Sequence, residues 1–377
     1  MASWLTGLLI GGIALTAYGV GSAYGTMTMW PKEVRGDLRS GLREGYRGDG
    51  TMSEQYLSRA WETTKKLPLE KFGSQPFLKT TGIGIALAGV YENNGKSEQA
   101  YQILKQSLDL LQDGIHTASN LRRDLSPEER MRAVSIAYKL GELAQTLNKP
   151  KEEEEKWLVY SVETVLKDVM KAPVAAEVVV TDKDMKRQEI ARGIVEELKL
   201  PSWVLKHDLA APFEALGSFY SRTGKVSHAM PLYLQAISIL IPPPPQVSSA
   251  EDQCRAAQLM GNISELILRT RNDPESIVQA ESWATKGLEV ASRVRKSTLV
   301  KHPSCEVAYA CMLYNLAMIR DMAGDSHSAR QLFDKSLDQS RSIGLEEGIQ
   351  SAERAIKELA SGSQPATMSF PSSPSAS

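Results

Sequence analysis

Cysteine is scarce in this 377-residue chain, and histidine is scattered. Cys254, Cys305 and Cys311 form no CxxC pair, so neither a zinc site nor a structural disulfide is expected. The five histidines stand singly, without an HExxH cluster, which leaves a metal centre nothing to build on. Neither sign of charge prevails: 44 basic residues against 45 acidic ones give a net charge of -1. General affinity for nucleic acid is thereby excluded. No Ser, His or Cys combines with a base and an orienting acid into a catalytic set. "NNGKSE" contains Gly95, Lys96 and Ser97, but Val90 stands where a phosphate loop needs its first glycine. Gly82, Gly84 and Gly89 in "TGIGIALAG" do not follow the GxGxxG spacing, and close helix packing is the expected reason for them. Asn262 in "GNIS" lies inside a helical apolar pattern and is not read as a glycosylation acceptor. The chain therefore reads as a non-enzyme, with no cofactor and no small-molecule substrate.

Charge is missing altogether near the amino terminus. From Trp4 to Trp30, "WLTGLLIGGIALTAYGVGSAYGTMTMW" holds none across 27 positions. As a helix it would extend roughly 40 Å, against a bilayer core of about 30 Å. Trp4 and Trp30 stand where amphipathic rings favour the interface, and Pro31 ends the run. A cleaved signal would carry a basic leader and a shorter apolar region, so residues 4–30 are expected to form a single-pass membrane anchor. Gly7 and Gly11 make one small-xxx-small step, and Ala17, Gly21 and Gly25 make two more, the pattern by which membrane helices pack together. Lys32, Arg35, Arg39, Arg43 and Arg47 follow it; the positive-inside rule would keep the domain after them on the side of insertion.

Beyond Pro31, apolar spacing indicates helices almost throughout, with a short extended run at Ala175 to Asp182. "FEALGSFYSRTGKVSHAMPLYLQAISIL" shows the design. Phe213, Leu216, Gly217 and Tyr220 share one helix face, and Ala229, Tyr233 and Ala236 share another across a turn at Gly224. F-x2-L-G-x2-Y followed by A-x3-Y-x2-A resembles the tetratricopeptide pattern. Tyr91, Gly95 and Ala100 repeat it earlier, and Gly324, Ala329 and Phe333 repeat it later. Leu57, Ala60 and Trp61 mark a degenerate first hairpin; Leu140, Gly141, Ala144 and Trp157 mark a third, whose second helix opens on a solvated "KEEEEK". Ala280, Trp283 and Gly287 mark another, and a helix from about Leu345 to Ala360 closes the stack. Ala229, Ala280 and Ala329 lie about 50 residues apart, against roughly 34 in the standard repeat. The expected fold is all-α: a tetratricopeptide-like helical-hairpin solenoid over 31–360 with an N-terminal transmembrane helix. The Ser- and Pro-rich stretch 361–377 has too little apolar surface to order itself.

Helical solenoids bind proteins through the first helix of each hairpin. On that reasoning Glu214, Ser218, Ser221 and Arg222, and in the last hairpin Tyr314, Met318, Asp321 and Met322, are the expected partner-facing residues.

"WPKEVRGDLRSGLREGYRGD", "LPSWVLKHDLAAPFEALGSFYSRTGKVSHAMPLYLQAISIL", "CRAAQLMGNISELIL" and "LYNLAMIRDMAGDSHSARQLFDKSLD" resemble fungal membrane-anchored tetratricopeptide proteins of mitochondria. Among these the likeness is to the adaptor subunit of the inner-membrane i-AAA protease. The resemblance implies a domain in the intermembrane space that binds unfolded membrane-protein substrates and presents them to the i-AAA protease complex. A scaffold for respiratory-complex assembly and an outer-membrane import receptor facing the cytosol would use the same anchor and repeats. A chaperone-tail clamp of Lys, Asn and Arg is not evident at Ile85, Gly89, Glu214 and Ser218.

Overall fold

The computed structural model describes residues 29–113, 125–169, 204–271, 273–298 and 300–361. Every regular element among them is helical. The chain divides into two compact units, Met1–Val169 and Met170–Ser377, and each is described by itself.

In the first unit α1 (Lys32–Tyr46) pairs with α2 (Gly50–Lys66), α3 (Pro76–Asn93) with α4 (Ser97–Asp113), and α5 (Pro127–Thr146) with α6 (Lys151–Thr164). In the second, α7 (Lys206–Arg222) pairs with α8 (Val226–Leu240), α9 (Ala250–Thr270) with α10 (Pro274–Ser297), and α11 (Pro303–Met322) with α12 (Ser326–Ile343). A last helix, α13 (Glu346–Ser361), follows.

The turns account for the repeating glycines. Gly95, Gly224 and Gly324 have φ of 72, 78 and 83°, a region that side chains other than glycine avoid. After each, an amide reaches back to close the first helix: Lys96 N to Tyr91 O at 2.7 Å, Lys225 N to Tyr220 O at 2.8 Å, and Asp325 N to Arg320 O at 2.9 Å. Between α5 and α6 the same turn is made by Asn148 at φ 51°. Side chains then start the helices. Asp49 accepts from Met52 N and Asp325 from Ser328 N, while Ser126 and Glu129 form a reciprocal capping box.

Small residues let the paired helices touch. A Cβ on Gly217 would lie 2.8 Å from the Tyr233 ring, and one on Gly41 would lie 2.7 Å from Leu57 Cγ. Ala100, Ala229, Ala236 and Ala329 are fully buried, and Phe213, Tyr233 and Phe333 fill the space around them. Burying a side chain of that size contributes roughly 1.5–3 kcal/mol. Tyr91 and Tyr220 are half-buried: the Tyr91 hydroxyl lies 3.3 Å from Ser58 Oγ, and the Tyr220 ring tilts against Phe219 and His228.

Four expectations change. No helix among the described residues is long and apolar enough to cross a membrane. Even α11, buried along most of its length, carries Glu306, Arg320 and Asp321. The expected localisation at the mitochondrial inner membrane, or alternatively at the outer membrane, is corrected accordingly. The expected anchor at 4–30, with Gly7, Gly11, Ala17, Gly21 and Gly25, falls outside the described residues except at its last two positions. The run from Ala175 to Asp182 and the tail beyond Ser361 also lie outside them.

The cysteines are paired after all. Cys254 of α9 and Cys305 of α11 form a disulfide with Cα atoms 4.9 Å apart, because those two first helices pack side by side. Cys311 is a free thiol, and burial pushes its pKa up to about 11.

"KEEEEK" does open a helix, but it is not wholly solvated. Glu154 is 5% exposed, and Glu153 accepts a hydrogen bond from the Tyr101 hydroxyl at 2.6 Å. That hydroxyl in turn accepts from Trp157 Nε1 at 2.7 Å, which ties α4 to α6.

The three glycines of "TGIGIALAG" also part company. Gly84 is packed as expected, since a Cβ there would meet Ser107 Oγ and, at 3.0 Å, the Trp61 ring. Among the described residues Gly89 has nothing within 4 Å of that position, and Gly82 has only Arg132 Nη1 at 3.9 Å.

Candidate protein-binding faces

In the second unit the first helices α7 and α9 lie across a polar seam. Arg255 Nε of α9 donates to Glu214 of α7 at 2.8 Å. Further along, Arg269 donates to Ser221 Oγ at 3.1 Å and to its carbonyl at 3.2 Å. Between these links the Tyr233 hydroxyl rises from α8 close to Ser218 and Ser221. Burial, with Glu214 and Glu265 nearby, pushes the Tyr233 pKa up, so the phenol stays protonated.

Glu265 of α9 lies in the same seam. Burial raises its carboxyl pKa to about 7, although Arg269 pulls it the other way from 3.7 Å. The group is thus poised to gain or lose a proton in the neutral range.

The structure sorts the eight expected partner-facing residues into two sets. Ser218 and Arg222 are exposed on α7, and Glu214 and Ser221 are half-buried beside them. The Arg222 guanidinium stands 5.9 Å from the Phe219 ring centre. In the last hairpin Tyr314 and Met318 are core residues, packed with Phe333, Ala352 and Ala355. This corrects their expected role, because α13 lies over that stretch of α11. Met322 is half-buried against Leu316 and Ile319 and their neighbours, and Asp321 is half-buried, with Ser326 Oγ 3.5 Å from its carboxylate.

Arg255, Glu265 and Arg269 were missed by sequence reasoning. The signal was present in "CRAAQLMGNISELIL": Gly261 takes the small position of the repeat, which puts Arg255 and Glu265 at inner positions matching Ala211 and Ser221 of α7.

The first unit has a corresponding face along α3 and α5. Lys139 of α5 pairs with Glu92 of α3 and with Glu142, at 3.2 Å each, and the Tyr138 hydroxyl donates to Glu142 at 2.7 Å. Two turns earlier on α5, Arg132 reaches over Gly82.

No protein-family model and no curated protein matches this chain. Solved structures do resemble it. BtubC from P. vanneervenii aligns over 86% of this chain and 97% of its own, at 13% identity and a TM-score of 0.48. The S. pombe nuclear import adaptor Nro1 aligns over 85% and 96%, at 12% identity and 0.44. A putative kinesin light chain with nearly identical TPR-like repeats, from Podosopora anserina, aligns over 71% and 97%, at 16% identity and 0.39. Likeness at this level reaches no further than a helical-repeat arrangement.

What these faces can do chemically follows from their groups. Among the described residues no cluster of His, Cys, Asp or Glu could hold a metal. A cavity of about 10 Å³ between α11, α12 and α13, lined by Cys311, Tyr314 and Ser340 among others, has room for about one water. The α7–α9 seam, by contrast, presents hydroxyls and charges side by side along more than three helical turns. Such a surface suits an extended polypeptide.

Proposed function

We propose that this chain is a non-enzymatic adaptor that holds unfolded substrate proteins on the first-helix faces of its TPR-like hairpins and delivers them to the i-AAA protease. The α7–α9 seam carries the binding part of this reading. Ser218 is exposed there beside Glu214, Ser221 and Arg269, and the Tyr233 hydroxyl backs the seam from below. These groups offer donors and acceptors to the main chain of a client in any sequence. Delivery to the protease is supported by the sequence resemblance described above.

The two halves of the reading are tested together with purified components. A fluorescently labelled, denatured membrane-protein client is mixed with i-AAA protease and ATP, with and without this chain. The expected result is faster client loss in its presence, abolished by Ser218→Trp, which blocks the seam. Unchanged client loss, with the client nevertheless bound, would remove the delivery step and leave a binding scaffold. Absence of client binding would remove both.

A further inference from the structure

Among the described residues, Arg132 of α5 is a cation without a partner. Burial pushes its pKa below the ordinary arginine value, no charged neighbour offsets that effect, and no hydrogen bond or ion pair holds the guanidinium among the described residues. An arginine remains ionised under such conditions, so a half-buried charge stands unmatched, which is costly. Lys139, two turns along the same helix, shows the usual arrangement, being matched by both Glu92 and Glu142.

Opposite Arg132 the surface of α3 has little cover from the described residues at its glycines. Among the described residues a Cβ at Gly82 would meet only Arg132 Nη1, at 3.9 Å, and one at Gly89 would meet nothing within 4 Å. Glycine inside a helix is destabilising relative to alanine, and packing does not demand it at these two positions as it does at Gly84. Together they leave a shallow trough beside an unmatched guanidinium, with half-buried Ile85 between them.

We propose that this α3–α5 face seats an extended acidic segment of a client, with one carboxylate on Arg132 and its main chain running over Gly82 and Gly89. The proposal rests on the client-holding function above and adds a selectivity to it. A carboxylate matches the guanidinium fork with two parallel hydrogen bonds. Glu92 and Glu142 beside Lys139 set the limit at the other end, where a longer run of negative charge is repelled. A polyanion such as nucleic acid is therefore a poor occupant, and a peptide with an isolated acidic group is a good one.

The test uses the full chain and two fluorescein-labelled unstructured peptides, one with a central Glu-Glu pair and its twin with Gln-Gln. Anisotropy titrations should show the acidic peptide bound about tenfold more tightly. Arg132→Met, which keeps the length of the side chain, should erase that preference and leave the affinity for the Gln-Gln twin unchanged. Gly89→Phe should weaken both peptides. Because the guanidinium holds no partner among the described residues, the Tm of Arg132→Met should equal or exceed that of the parent. Equal binding of the twins by the parent protein, a preference that survives Arg132→Met, or a lowered Tm in that variant would each overturn the proposal and leave the client-holding function standing. Failure of the parent to bind either peptide would overturn both.

Discussion

Arg255 donates to Glu214 at 2.8 Å across the α7–α9 seam, and both side chains are 23% exposed. At that exposure the pair is screened less than a surface ion pair, yet it is not desolvated enough to cost more than it returns. A double-mutant cycle of Glu214→Ala and Arg255→Ala should give a coupling of about 1 kcal/mol in urea denaturation. A coupling near zero would mean that the seam is held by its neighbours alone.

Glu265 makes stability depend on pH. Its folded pKa of about 7 lies above the ordinary 4.5. Between those values the folded state holds a proton that the unfolded chain has released, so stability falls as pH rises through this window and levels off above it. The full effect is at most about 3 kcal/mol. Glu265→Gln should flatten the profile when urea midpoints are compared at about pH 5 and about pH 8. A parent protein equally stable at both, or a variant with the parent's slope, would contradict the burial of this carboxyl.

Two glycines should respond in opposite directions to alanine. At Gly217 the new methyl would press on the Tyr233 ring from 2.8 Å, and overpacking of this kind costs about 1–3 kcal/mol, more than helix propensity returns. At Gly89, with open space among the described residues, the same change should stabilise by roughly 0.5–1 kcal/mol. Thermal melts of the two variants check both signs.

The Cys254–Cys305 bridge predicts a thiol count. Alkylation in denaturant without reductant should modify Cys311 alone, and all three cysteines after reduction. Replacing both bridge residues with Ser should cost roughly 2–4 kcal/mol. Three modified thiols without reductant would show that the bridge does not form.

Local features of this fold were legible in the sequence, and features made by distant segments were not. The Gly224 and Gly324 turns, the buried alanines at 229 and 329 and the helix at the carboxyl end all follow from spacing within one hairpin. Spacing within α11 alone puts Tyr314 and Met318 on a partner-facing side, because it does not show the helix that covers them. The apolar stripe of α13, Ala352, Ala355, Ile356 and Leu359, is what packs over them. Within its own helix Glu153 reads as a solvated charge, because its partner, Tyr101, lies on a different hairpin. Cys254 and Cys305 are 51 residues apart, close to one repeat interval, yet spacing alone did not reveal that α9 and α11 would be neighbours. The little-covered α3 surface beside Arg132 was hidden for the same reason: Gly82 and Gly89 look like Gly84 until the opposite helix is in place.

The central claim is that clients bind the first-helix faces and not the outer helices. It is tested most directly by placing a photo-crosslinking amino acid at Ser218 of α7, or at Val278 of α10, which is 66% exposed, and irradiating the full chain with a denatured client. The account predicts strong client adducts from position 218 and none above background from position 278. Adducts of equal strength at both, or at 278 alone, would contradict it.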